Sequence, residues 1–323
     1  MTLIEFTECS VWSRRCWCFS AIVALNLVVF GGCRQSGQSA HAVRDAGALA
    51  APGLPQLLAM TEIELTQLDV AQLNHACASG LSSEVSAGNL SQELNRMADR
   101  TRSETERNSH RYTREPDQFH NSIGYFRMLC LVTVIQQDFG VRYHPDRAKP
   151  NTEAVEPNET FYGDPTAVFL SGLMGPPRVG TCASLPVLYV AIGRRLGYPM
   201  KLVATRNHLF ARWDDGITHF NVEATSSGLV VFDDDYYRRW PFPISPEEEL
   251  RERYMVSLSP REELGVFLSL RAHCLAAVGR IREAVEAQRQ VCLRFPRSQM
   301  HAGFLQELER KAERNIETVA THD

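Results

Sequence analysis

Three side chains in the middle of the chain, Cys182, His208 and Glu223, are of the types that thiol chemistry needs. A cysteine attacks as a thiolate, so it needs an imidazole that takes its proton and later returns it to a leaving group. That imidazole needs an acceptor to fix its tautomer and orientation, and either Glu223 or Asn221, two residues earlier, offers one. Cys182 lies within Gly180-Thr181-Cys182-Ala183-Ser184-Leu185-Pro186, ahead of Leu185, Leu188, Tyr189, Ile192 and Leu196, an apolar series at helical spacing. Gly197 and Pro199 follow in the order that closes a helix. This pattern predicts Cys182 at a helix start, where unpaired N–H groups and the positive end of the helix dipole favour a thiolate. The backbone N–H of Cys182 is then a natural donor to an oxyanion.

His208 and the carboxylate fall in strand-like runs, Lys201 to Ala204, His208 to Trp213 and Thr218 to Ala224. If Asp215-Gly216 forms a two-residue hairpin turn, His208 lies directly opposite Glu223. Alternation then collects His208, Phe210, Arg212, His219, Asn221 and Glu223 on one face, and Leu209, Ala211, Trp213, Phe220, Val222 and Ala224 on the other. The apolar face must pack on a core, and the polar face is expected to line a cleft, with His219 as an alternative cleft residue. Arg194 and Arg195 read as a solvated or salt-bridged helix face rather than a substrate clamp, and Tyr236, Tyr237 and Trp240 as packing rather than a cleft lining.

The flanks are helical. Residues 59–140 form a lead-in whose last helix, Ile123 to Phe139, is apolar almost all round and therefore buried, with Gly140 ending it. Pro145, Pro150, Pro157, Pro165, Pro176 and Pro177 exclude a long helix from Val141 to Pro177. Residues 141–246 thus make the core and residues 247–323 a helical tail. In that tail, small and apolar residues with Gly279 at a turn and Pro296 after a second helix resemble one tetratricopeptide unit. One unit cannot bury its own face, so it is expected to dock on the core, to continue through Phe304 to Arg314, or to offer a surface to a protein partner. The fold class is α+β.

Residues 1–33 read as an export leader. Arg14 and Arg15 precede an apolar run of about 15 residues, Cys16 to Phe30, short of the roughly 20 that span a bilayer. Residues 34–58 read as a flexible tether. Beyond the leader lie Cys33, Cys77, Cys130, Cys182, Cys274 and Cys292. If Cys33 is lipidated, an odd number remains, so at least one thiol is unpaired. The 10 histidines are scattered without CxxC or HExxH spacing, so neither a metal site nor another cofactor is expected. A net charge of −4 without long runs of like charge argues against nucleic acid as a partner.

Taken together, Gly180 to Pro186, Gly193-Arg194-Arg195-Leu196-Gly197-Tyr198-Pro199, Asn207-His208-Leu209-Phe210 and Asn221-Val222-Glu223-Ala224-Thr225 resemble the transglutaminase-like superfamily over about residues 120 to 245. The resemblance implies a papain-like core, in which the nucleophile helix packs on a small antiparallel sheet. It implies Cys182 as nucleophile, His208 as general base and acid, and Glu223 where the family more often has aspartate, with Asn221 as the alternative third member. The implied activity is attack on an amide of a protein or peptide substrate, a thioester intermediate, and transfer of the acyl group to water or an amine. An inactive binding module that keeps the cleft for envelope peptides or proteins is the alternative. The Gly31-Gly32-Cys33 ending resembles the lipobox of bacterial lipoproteins, which implies lipidation at Cys33 and a membrane-anchored protein facing the periplasm or cell exterior.

Overall fold

The computed structural model describes residues 52–81, 86–145 and 159–320. The leader, Cys33 and most of the tether lie outside these residues. Helix α1 (Leu54–Ala59) begins inside the end of the expected tether. Pro55 sits in its first turn, where a missing N–H breaks no helical bond. The lead-in continues through α2 (Glu62–Leu65), α3 (Val70–Ala78), the long α4 (Ala87–Arg114) and α5 (Ile123–Thr133). Thr61 with Glu64 and Asp69 with Gln72 form reciprocal caps that start α2 and α3. The expected Ile123 to Phe139 helix is present, but its last turn, Val134–Asp138, widens into a π turn before Gly140 at φ 69°.

The proline-rich stretch holds only short pieces among its described residues. Strand β1 (Arg142–Tyr143) runs parallel to β2 (Val179–Gly180), with α6 (Glu159–Tyr162) and α7 (Pro165–Val168) between them. Helix α8 (Leu185–Arg195) then follows Cys182. Residues 185 through 193 are all buried, so α8 is a central helix and not the one-faced helix that its periodicity suggests. It packs on α3, α4 and α5 on one side and on the sheet on the other.

That sheet is antiparallel, in the order β3 (Met200–Thr205), β4 (His208–Asp214), β5 (His219–Val222) and β6 (Val231–Phe232). The turn between β4 and β5 is Asp215 to Thr218, not the expected two residues. The Asp215 carboxylate accepts from the Ile217 and Thr218 N–H groups at 2.9 and 2.6 Å, a local bond set that competes with a tighter turn. Arg212 consequently pairs with Asn221 and Trp213 with Phe220. The displacement is two positions, which preserves both faces but moves Glu223 from directly opposite His208 to its diagonal.

Leu209, Ala211, Trp213, Val222 and Ala224 join α8 in the main apolar core. The Trp213 ring lies so close to α5 that a Cβ on Gly124 would come within 2.6 Å of it. The polar face is also buried except at His219, under α9 (Asp234–Arg239) and the chain leading to Tyr254 and Met255. The expectation that this whole face lines an open cleft therefore fails.

After α10 (Pro246–Glu252), residues 255 to 258 lie along the outer edge of β3, with the Met255 and Leu258 N–H groups donating to the carbonyls of Ala204 and Leu202 at 2.9 and 3.0 Å. Helices α11 (Pro260–Ala277), α12 (Ile281–Arg294) and α13 (Gln299–Ala320) follow. Gly279, at φ 77°, makes the α11–α12 turn. The tail docks on the core: Leu264, Phe267 and Leu268 belong to the α8 core, and Arg194 of α8 holds the buried Glu263 of α11 through two hydrogen bonds of 2.6 and 3.1 Å. The described helices and sheet belong to one compact unit. Among the described residues no helix is long and apolar enough to cross a membrane.

Candidate functional site

The turn before α8 is built so that Cys182 has little freedom. Thr181 donates its hydroxyl to the Ala167 carbonyl at 3.0 Å and accepts from the Ala183 N–H, while the Ser184 hydroxyl accepts from the Thr181 N–H and donates to the same Ala167 carbonyl at 2.8 Å. A Cβ on Gly180 would come within 2.7 Å of the Ser184 hydroxyl, so only glycine leaves this knot room to close. The N–H groups on either side of Cys182 are thus used. Among the described residues, none accepts a hydrogen bond from the Cys182 N–H itself.

His208, at the start of β4, is 6 % exposed and lines the same cavity as Cys182, near enough for the thiol to act on its pKa. Its Nε2–H donates to Glu223 Oε2 at 2.9 Å, which leaves Nδ1 for the thiol. The Tyr237 hydroxyl donates to the same oxygen at 3.1 Å, and the Thr225 N–H and hydroxyl donate to Oε1 at 3.0 and 2.6 Å. Trp240 meets the imidazole edge to face at 4.9 Å between ring centres. Gln136, on the π turn, bonds the Tyr189 hydroxyl, the Ser226 carbonyl and the Gly228 N–H, which holds the loop that carries Thr225.

Burial alone would drive His208 toward its neutral form. The Glu223 charge, the bond to Glu223 and the nearby Cys182 side chain outweigh that and raise its pKa to about 10. Burial likewise opposes the Glu223 charge, but the imidazolium and Thr225 overcome it and hold the carboxyl below its ordinary value. The two shifts reinforce one another: a carboxylate and an imidazolium are each stable here because of the other.

Asn221 is not beside His208. Its side-chain oxygen accepts from Arg212 Nε at 2.7 Å and its amide donates to Asp234 at 2.8 Å. Arg212 completes this group with bonds of 2.8 Å to Asp234 and 3.0 Å to the Met255 carbonyl. His219 is about half exposed at the far end of β5, 3.6 Å from Asp234, and does not reach the thiol. Tyr237, Thr225 and Gln136 are the site residues that the sequence analysis did not select. Thr225 carried a signal, since a hydroxyl two residues after a carboxylate is the spacing of a local side-chain turn.

A cavity of about 130 Å³ opens over Cys182 and His208. Its other walls come from Tyr162 of α6, Tyr254 and Leu258 near β3, and Leu270 and His273 of α11. All five described cysteines are free thiols, and Cys77 is driven up to about 12 by burial. No group of three or more His, Cys, Asp or Glu among the described residues is placed to hold a metal ion.

A half-buried thiol beside an imidazole, itself held by a buried carboxylate, defines the general arrangement of a cysteine acyl-transfer site. The chain belongs to the transglutaminase-like superfamily, whose family model matches residues 89–268, more than half of its 323 residues. The match begins inside α4 and ends inside α11, wider than the 120 to 245 over which the sequence resembles the family. No curated protein and no solved structure matches the chain.

Proposed function

We propose that the protein is a cysteine hydrolase or acyltransferase that opens an amide bond of a protein or peptide in the cell envelope through a thioester on Cys182. The observation that carries this reading is the placement of His208, bonded to the buried Glu223 and lining one cavity with Cys182. Cys182 Sγ attacks the amide carbonyl as its proton resides on His208, and the tetrahedral oxyanion meets the Cys182 N–H. His208 then gives that proton to the departing amine, leaving an acyl thioester. A water enters, loses its proton to His208, and releases the carboxylate and the thiol. Hydrolysis is favoured over transfer because an amine acceptor must outcompete water, which requires a bound acceptor. The export leader and the Gly-Gly-Cys33 ending support an envelope location with a lipid anchor at Cys33.

The test is alkylation of the full chain with chloroacetamide followed by peptide mass mapping. Cys182 is expected to label first, and His208→Ala to remove that advantage. Equal labelling of Cys130 and Cys292, or none at Cys182, overturns the enzymatic reading in favour of a binding module.

A further inference from the structure

We infer that the cavity over Cys182 recognises one apolar side chain of leucine size on the acyl portion of a peptide substrate, with the C-terminal helices forming its wall. This rests on the acyl chemistry proposed above.

The apolar part of the lining of the cavity that contains Cys182 and His208 comes from Tyr162, Leu258, Val266, Leu270, Phe295 and Met300. Three of these six, Val266, Leu270 and Phe295, lie on or directly after α11 and α12, and Met300 lies on α13. The cavity volume is about 130 Å³, and one side is open to solvent. An apolar cavity of roughly 150 Å³ holds a benzene ring, whereas sites for drug-sized ligands run from about 300 to 1,000 Å³. The space fits one side chain beside a scissile carbonyl, not a folded ligand.

Glu252 and Arg253 at its margin are held by protein partners, and burial keeps His301 neutral. Glu252 accepts from Arg251 Nε at 2.8 Å, from the Gln299 N–H at 3.2 Å and from the Ser298 hydroxyl. Arg253 Nε donates to Glu262 at 2.8 Å. His273 is stacked between Tyr162, at 4.6 Å, and Phe304, at 4.0 Å, and burial keeps it neutral. A charged side chain on the apolar wall loses water there without a partner on that wall, which is costly, whereas an apolar one gains from burial. The wall is fixed relative to the nucleophile because the Arg194–Glu263 pair fastens α11 to α8, the helix behind Cys182.

The experiment is isothermal titration of full-length Cys182→Ala with acetylated tripeptide amides whose central residue is Leu, Phe, Gly, Glu or Lys. The leucine peptide is expected to bind at least about tenfold more tightly than the glycine, glutamate and lysine peptides, the scale set by filling an apolar pocket. Adding Leu270→Ala, which enlarges the cavity, is expected to move the preference from leucine to phenylalanine, a change that general loosening of the tail does not produce. Equal binding of all five peptides, a preference for Glu or Lys, or an unchanged size preference in the Leu270→Ala background overturns the inference. Because no chemistry is involved, these outcomes are separate from chloroacetamide failing to label Cys182, which sinks the catalytic reading alone.

Discussion

The two faces of the sheet at β4 are both buried, yet they are held by opposite means. Against α8, Leu209, Ala211, Trp213 and Val222 form dry contacts that depend on shape. Against α9, His208, Arg212, Asn221 and Glu223 form two hydrogen-bonded groups, and each buried polar atom depends on named partners. The apolar face gains stability by area, while the polar face spends some of it to hold a charged pair in one geometry. The site belongs to the second face, where position is specified by bonds rather than by fit.

Breaking the apolar face is expected to give the largest effect on stability. Trp213→Ala empties the space over Gly124 and is expected to cost about 3–5 kcal/mol in denaturant unfolding. Cys182 alkylation, measured where the variant is still folded, should change little by comparison. A loss under about 1 kcal/mol would mean that this face is not the main support.

The polar face should declare itself through pH. His208 has a folded pKa raised to about 10, so the folded chain holds a proton that the unfolded chain releases near the ordinary imidazole value. The stabilisation is complete below about pH 6.5 and is lost as pH rises toward 10. Glu223 has the opposite sign: its pKa is lowered, so its contribution is present above its ordinary value and lost on acidification. Unfolding midpoints of wild type and His208→Gln, compared between pH 6.5 and 9.5, are expected to converge with rising pH. Parallel curves would show that the imidazolium–carboxylate pair does not form.

Much of the site was legible from spacing. The helix start at Cys182, the Gly197 cap and the membership of the two sheet faces follow from local periods and turn residues, which depend on a few neighbours. The register was not, because the Asp215 carboxylate organises a longer turn than the Asp-Gly pair suggests. Nor could the sequence show that Asn221 is held by Arg212 and Asp234, since Asn221 and Glu223 share a face and only the covering helix α9 tells them apart. The burial of α8 all round and the return of residues 255 to 258 along β3 are tertiary in origin. So is the cavity, which is assembled from α6, the sheet and the tail.

The central claim is that Glu223, acting on His208, sets the reactivity of Cys182. It is tested most directly by the second-order rate of Cys182 alkylation by chloroacetamide at pH 7 in wild type, Glu223→Gln and Asn221→Ala. Removing the Glu223 charge is expected to slow alkylation by at least about tenfold, because the imidazole that takes the Cys182 proton loses its counter-charge. Asn221→Ala, which disturbs Arg212 and Asp234 but touches neither His208 nor Cys182, is expected to leave the rate close to wild type. Equal rates in wild type and Glu223→Gln, or a larger loss in Asn221→Ala, would contradict the account.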